Sequence, residues 1–211
     1  MRKLRRGLGW TLGALIVIAL LLRLFVLNVW TMSDDAYLVS AEPAVGPGDT
    51  VLVLRRGEPG FGDLVRCPDP TDPSQWVVGR IAGLPGDTVE ITGRRLVVNG
   101  RTYEGESACA EPKVFVKHPE SQKEVELACD VVPMGSGWHY RASSMNPIQE
   151  TKKTAKVGAG KLFLASDNRT IHDDSRDFGL VDRATCKERI VFRLWGKAGW
   201  SDEKRRFTVV H

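Results

Sequence analysis

The chain has 211 residues, 42% of them hydrophobic and 27% charged, with a formal net charge of +4. That is enough chain for one substantial core, alone or with a small appended lobe, and the charge bias is too slight for a nucleic-acid binder. Much of the basic excess is Arg2, Lys3, Arg5 and Arg6, and no basic stripe with interleaved aromatics follows, so no nucleic-acid partner is expected.

The first element in the chain is apolar. From Leu8 to Trp30 only the polar residues Thr11, Arg23 and Asn28 interrupt the run, which as a helix is long enough to cross a hydrocarbon core. Arg23 lies near one end, where its long side chain can snorkel toward headgroups. The basic residues within 1–7 predict a cytoplasmic N-terminus, an anchor over 8–30, and an extracytoplasmic domain over 31–211 beside the lipid bilayer. A cleaved export signal is the competing reading, but Val29-Trp30-Thr31 lacks the small residues a cut requires.

After the anchor, short alternating or apolar runs recur at Thr50 to Leu54, Trp76 to Ile81, Thr88 to Ile91, Arg95 to Val98, Val114 to Val116, Lys161 to Ala165 and Arg189 to Trp195. They read as strands. Pro47-Gly48-Asp49, Pro59-Gly60, Pro85-Gly86-Asp87 and Asn99-Gly100 supply the turns, the last a strong hairpin signal. No long amphipathic helix and no repeat follows the anchor. The expected fold is therefore mainly antiparallel β behind one N-terminal transmembrane helix, with a polar stretch from about 101 to 156 as an inserted smaller lobe.

Cys67, Cys109, Cys129 and Cys186 allow three full pairings or none. Cys109 with Cys129 is favoured because Val114 to Val116 and Val125 to Leu127 could pair between them; buried free thiols are the alternative. No Cys-x-x-Cys spacing occurs, so neither metal nor cofactor is expected.

The densest cluster of chemistry is Ser166-Asp167-Asn168-Arg169-Thr170-Ile171-His172-Asp173-Asp174-Ser175-Arg176-Asp177-Phe178-Gly179. Small and charged residues at such spacing rarely serve packing alone. It resembles the last signature box of the bacterial type I signal peptidases, which reads Gly-Asp-Asn-Arg, two variable residues, Ser, one variable residue, Asp-Ser-Arg, two variable residues and Gly. Ser166 replaces the first Gly and His172 the first Ser. Other boxes follow the family's order: Gly48-Asp49-Thr50-Val51-Leu52-Val53 is similar to the strand after the nucleophile, Gly83-Leu84-Pro85-Gly86-Asp87-Thr88-Val89 to the box after the catalytic lysine, and Val98-Asn99-Gly100 to the next hairpin.

The resemblance implies a serine nucleophile and a neutral lysine base, acting at the bacterial inner membrane on the signal peptides of secreted precursor proteins. Counting back from Gly48-Asp49, Ser40-Ala41-Glu42-Pro43-Ala44-Val45 falls on the family's Ser-Met-x-Pro-Thr-Leu, with Ser40 at the nucleophile; counting forward from the anchor gives Ala36 instead. The base position, four before Gly83, is Gly79. Arg80 beside it stays protonated and makes a poor base. Leu38 stands where the family has a second oxyanion donor.

One repair is a relay of Ser40, His172 and Asp174, with imidazole as base and a carboxylate orienting it. The other reading is an impaired relative that binds signal segments or a membrane partner without hydrolysis. His172 is then a polar loop residue, while Asp167, Asn168, Arg169, Asp174, Ser175 and Arg176 persist as a hydrogen-bonded loop that holds the fold.

Overall fold

The computed structural model describes residues 13–18, 20, 23, 26–146 and 152–211. Its strands are β1 (Leu27–Thr31), β2 (Thr50–Leu54), β3 (Leu64–Pro68), β4 (Trp76–Gly83), β5 (Thr88–Thr92), β6 (Arg95–Val98), β7 (Arg101–Tyr103), β8 (Ser107–Lys117), β9 (Glu124–Met134), β10 (Gly137–Ser143), β11 (Lys153–Lys156), β12 (Lys161–Ala165), β13 (Val181–Asp182), β14 (Glu188–Trp195) and β15 (Thr208–Val209). An eight-stranded sheet runs β1-β2-β14-β3-β4-β12-β13 with β15 paired to β14. Beside it lie a three-stranded sheet, β10-β9-β8, and a four-stranded sheet, β11-β5-β6-β7.

The expected transmembrane helix needs correction. Among the described residues no helix is long and apolar enough to cross a membrane. The end of the span placed at 8–30 is strand β1, whose Leu27 to Thr31 pair with Leu54 to Thr50 of β2. The physical reason is local: Val29, Trp30 and Thr31 are β-branched or aromatic, and the edge of β2 offers their backbone a ladder that a helix would forgo. Trp30 then packs on the core cluster of Met32, Leu38, Val51 and Val53, and the Arg66 guanidinium sits 4.6 Å from its ring centre and 4.4 Å from that of Trp76. The single-pass inner-membrane placement built on that helix is corrected with it. Residues 1–7, expected to be cytoplasmic, lie outside the described residues.

The turn chemistry works as the sequence suggests. Asn99 and Gly100 both take positive φ, 51° and 80°, as a tight hairpin turn requires. Asp87 accepts from the Leu84 amide at 2.8 Å and from Asn99 Nδ2 at 2.7 Å, while Asn99 Oδ1 accepts from the Thr88 amide at 2.9 Å, so two turns brace each other. The cysteines pair as Cys109 with Cys129, across β8 and β9, and Cys67 with Cys186, which ties β3 to the approach of β14.

Among the described residues, four apolar clusters fill the interior. The one that matters for the site joins Val39, Val116, Leu127, Ala142 and Ile171, and so presses the residue before Ser40, the three-stranded sheet and the loop after β12 into one contact.

Candidate active site

Ser40 lies in a 3-10 turn, Ala36–Ala41, whose N-cap Asp35 accepts from the Tyr37 amide at 3.0 Å. The turn is held from one side by packing, since Leu38 and Ala41 belong to the same core cluster as Val78 of β4. Leu38 is thus a core residue where an oxyanion hydroxyl was looked for. Ser40 is itself only 2% exposed.

From the other side the turn is stitched to the loop 166–179. The Asn168 amide donates to the Ser40 carbonyl at 2.9 Å, and Asn168 Nδ2 donates to the Val39 carbonyl at 3.3 Å. Asn168 Oδ1 accepts from the Thr170 and Ile171 amides at 3.1 and 2.9 Å, which curls the loop so that Ile171 reaches Val39. Two residues far apart in sequence, Ser40 and Asn168, are therefore direct neighbours.

Three of the loop's charges, Asp167, Arg169 and Asp174, are deeply buried. Asp167, 0% exposed, takes Arg80 in a bidentate grip, Nε to Oδ1 at 2.8 Å and Nη2 to Oδ2 at 2.7 Å, and Arg80 Nη1 donates on to the Gly62 carbonyl at 2.7 Å. Such a planar fork onto a carboxylate is a task for arginine and not for lysine. Arg176 grips Asp174 likewise, at 3.0 and 2.9 Å, and the Ser166 amide adds a third donor to Asp174 at 2.7 Å. Burial is the largest pull on the Asp174 carboxyl and acts upward, but Arg176 and the amides together outweigh it and bring its pKa down to about 2. Ser175 Oγ accepts from the Leu164 amide at 2.8 Å and ties the loop to β12.

Among the described residues, two buried side chains in this region hold nitrogens without a hydrogen-bond partner. His139, on β10, has its Nε2 3.7 Å from Asp167 and neither ring nitrogen hydrogen-bonded. Burial first, then Arg80, Arg169 and Arg141, hold its pKa well below the usual value, so the ring is neutral. Arg169 is fully enclosed with Nε and Nη1 unpartnered, and burial, then the neighbouring Arg176, lowers it to about 9.

His172 is partly exposed and its Nδ1 lies 2.7 Å from Asp177 Oδ2. The expected relay ran through Asp174, but Asp174 is committed to Arg176 and the Ser166 amide, and the carboxylate on the imidazole is Asp177. No hydrogen bond joins Ser40 to His172 among the described residues. His172, Asp174 and Asp177 place one ligand-type atom each within 4.8 Å of one another. The Arg176 guanidinium on Asp174 opposes a cation there, so hydrogen bonding accounts for the cluster.

Asp177 was passed over because the signature box treats its position as variable. Asp173 was missed too: burial, then Asp177, Asp69, Asp174 and Asp35, raise its carboxyl to about 6, beside the imidazole. Three aspartates within five residues after a histidine were the available signal.

At the lysine position the backbone is closed off. A Cβ at Gly79 would stand 3.0 Å from Leu164 Cβ, tighter than nine in ten real contacts, so a side chain there requires Leu164 to give by a few tenths of an ångström. The base is absent, and the buried Leu164 side chain packs close to its root.

The site's frame is a short turn carrying Ser40, bonded through its carbonyls to a buried Asp-Asn-Arg loop in a mainly β protein, and comparison with known proteins gives the family. The family model described as signal peptidase, peptidase S26, matches residues 7–195, and the chain belongs to that family. It is similar to signal peptidase I of Bacillus licheniformis, 31% identical over 173 residues that cover 80% of this chain and 76% of that protein. It is also similar to signal peptidase I of Pseudomonas fluorescens, 27% identical over 186 residues, covering 80% of this chain and 61% of the relative's length. A crystal structure of a signal peptidase I from Enterococcus faecalis aligns with a TM-score of 0.39 at 24% identity, over 62% of this chain and 95% of that one.

Proposed function

We propose that this protein cleaves signal segments from secreted precursor proteins, with Ser40 as nucleophile and His172, oriented by Asp177, as base. The observation that carries this reading is the 2.7 Å contact between His172 Nδ1 and Asp177 Oδ2. A carboxylate on Nδ1 fixes the proton there and leaves Nε2 as the acceptor, the arrangement a serine hydrolase needs. In the reaction Ser40 Oγ attacks the scissile carbonyl carbon and its proton passes to His172 Nε2. The imidazolium returns that proton to the departing amine, and water, deprotonated by the same nitrogen, then releases the acyl group as a carboxylic acid. Catalytic hydrogen bonds are often loose without substrate and tighten in the complex, which is how the Ser40 to His172 link closes in this scheme. With Leu38 in place of a hydroxyl donor, the rate is lower by about 10² to 10³ than a full oxyanion hole would allow.

A second reading, that the protein binds such segments without cutting them, is favoured by Gly79 and the Leu164 side chain packed against it. One experiment separates the two. The full chain is incubated in detergent with a signal-peptide-bearing precursor, beside Ser40→Ala and His172→Ala. Product from the natural chain that is lost in both variants supports hydrolysis at Ser40. Saturable precursor binding without product establishes the second reading, and product surviving both substitutions overturns the residue assignment.

A further inference from the structure

The chain beyond β14 turns back through residues 196–207 before β15 rejoins the sheet, and it carries a guanidinium to the far side of the Ser40 turn. Arg205 Nη1 donates to Glu42 Oε2 at 3.1 Å, and Nη2 donates to Glu42 Oε1 at 3.0 Å and to Asp49 Oδ2 at 2.8 Å. Glu42 is two residues past Ser40, and Asp49 closes the Gly48-Asp49 turn that leads into β2. Asp49 Oδ2 also accepts from the Gly46 amide at 3.0 Å and from Arg193 Nη1 at 3.3 Å, and Arg193 Nη1 donates to the Ala44 carbonyl at 3.1 Å.

Glu42, Ala44 and Asp49 are thus each tied to one or both of two arginines, and Gly46 is tied to Asp49. The fit is close, because a Cβ at Gly46 would fall 2.0 Å from Glu42 Oε1, so only glycine lets the carboxylate lie across the turn. Arg205 is fixed in its turn by its amide, which donates to Asp202 Oδ1 at 3.2 Å. Two guanidiniums face two carboxylates, with Asp49 1% and Glu42 8% exposed, so removing Arg205 strands Glu42 while Asp49 keeps Arg193.

We propose that Arg205 is a positioning residue for Ser40: supplied by the segment after the family match ends at residue 195, it fixes the Glu42–Asp49 backbone through three hydrogen bonds and so sets where the Ser40 hydroxyl is presented. This rests on the reading of Ser40 as a reactive group. A fork that spans two carboxylates explains arginine here, since a single ammonium could not hold both in register. A displacement of about 1 Å at a reacting atom can cost on the order of 10² in rate, so a clamp of this kind acts on chemistry without touching substrate.

The test uses the full chain and its Arg205→Gln and Arg205→Lys variants, with hydrogen exchange read amide by amide and a small fluorophosphonate as the serine probe. In Arg205→Gln the amides of Gly46 and Asn168, the latter bonded to the Ser40 carbonyl, exchange roughly ten-fold faster while those of β4 and β12 keep their natural rates. Labelling of Ser40 slows by about 10- to 100-fold, and Arg205→Lys falls between. Unchanged exchange at Gly46 and Asn168, or equal acceleration across β4 and β12, overturns the proposal, the second because it marks a general loss of stability. If the natural chain is not labelled at all but the local exchange effect appears, the clamp stands and the hydrolytic reading falls.

Discussion

Replacing Arg80 by leucine should destabilise the protein and also reverse part of its response to acid. Arg80 is 1% and Asp167 0% exposed, and the pair shares two hydrogen bonds of 2.8 and 2.7 Å. Breaking a buried pair from one side leaves the other charge uncompensated, at a cost of about 3–5 kcal/mol, or on the order of 10 °C in Tm for a domain this size. The pH dependence follows from His139. In the natural protein its pKa is depressed by burial first, then by Arg80, Arg169 and Arg141. Below its ordinary value near 6.5 the unfolded chain therefore takes a proton that the folded chain refuses, and stability falls with acid. In Arg80→Leu one of those cations is gone and Asp167 is left without its partner, 3.7 Å from His139 Nε2. The folded state then gains from taking a proton, so stability should recover by roughly 1–2 kcal/mol between pH 7.5 and 5.5. Urea denaturation at the two pH values measures both quantities. The double variant Arg80→Leu/Asp167→Leu should return to within about 2 kcal/mol of the natural chain, because no charge remains stranded. A single-variant cost under about 1 kcal/mol, or a loss of stability with acid parallel to the natural protein's, refutes the reasoning.

Three further outcomes are expected. Asp177→Asn, which keeps the shape but not the charge on His172, should lower precursor cleavage by about 10³ to 10⁴ with little change in precursor binding, measured by product formation and titration. Asp173→Asn should stabilise the fold at pH 7.5 by about 1 kcal/mol after allowance for solvent screening. That carboxyl is raised to about 6, so its ionisation burdens the folded state as pH rises from about 4 through 6, and the gain should vanish at pH 4. Opening the Cys67–Cys186 bridge, which spans 119 residues, should cost about 5 kcal/mol, against about 3 kcal/mol for Cys109–Cys129, which spans 20, as read from denaturation of paired serine variants.

Local patterns in the sequence translated well where the physics is local. Thr50 to Leu54, Arg95 to Val98 and Lys161 to Ala165 are strands over those same residues, because alternating β-branched and aliphatic side chains bounded by Gly and Pro have few other ways to bury one face. Asn99-Gly100 turns the chain because both residues tolerate positive φ. The run from Leu8 to Trp30 misled for the same reason: hydropathy counts apolar residues, and Val29 and Trp30 are as apolar in a strand on β2 as in a membrane helix. β3 and β10 are not legible as strands in the sequence; pairing of β3 with β4 and β14, and of β10 with β9, makes them so.

What the sequence determined by itself is the inventory: the signature loop from Ser166 to Gly179, a serine eight residues before Gly48, and a glycine where a lysine belongs. These follow from residue identity and spacing, which linear order preserves. Which carboxylate meets His172, which arginine holds Asp167 and which one reaches Glu42 were decided only when sheets brought together residues 5, 87 and 163 positions apart. A charged side chain in a sequence is free to take many partners, and burial in a folded interior leaves it one.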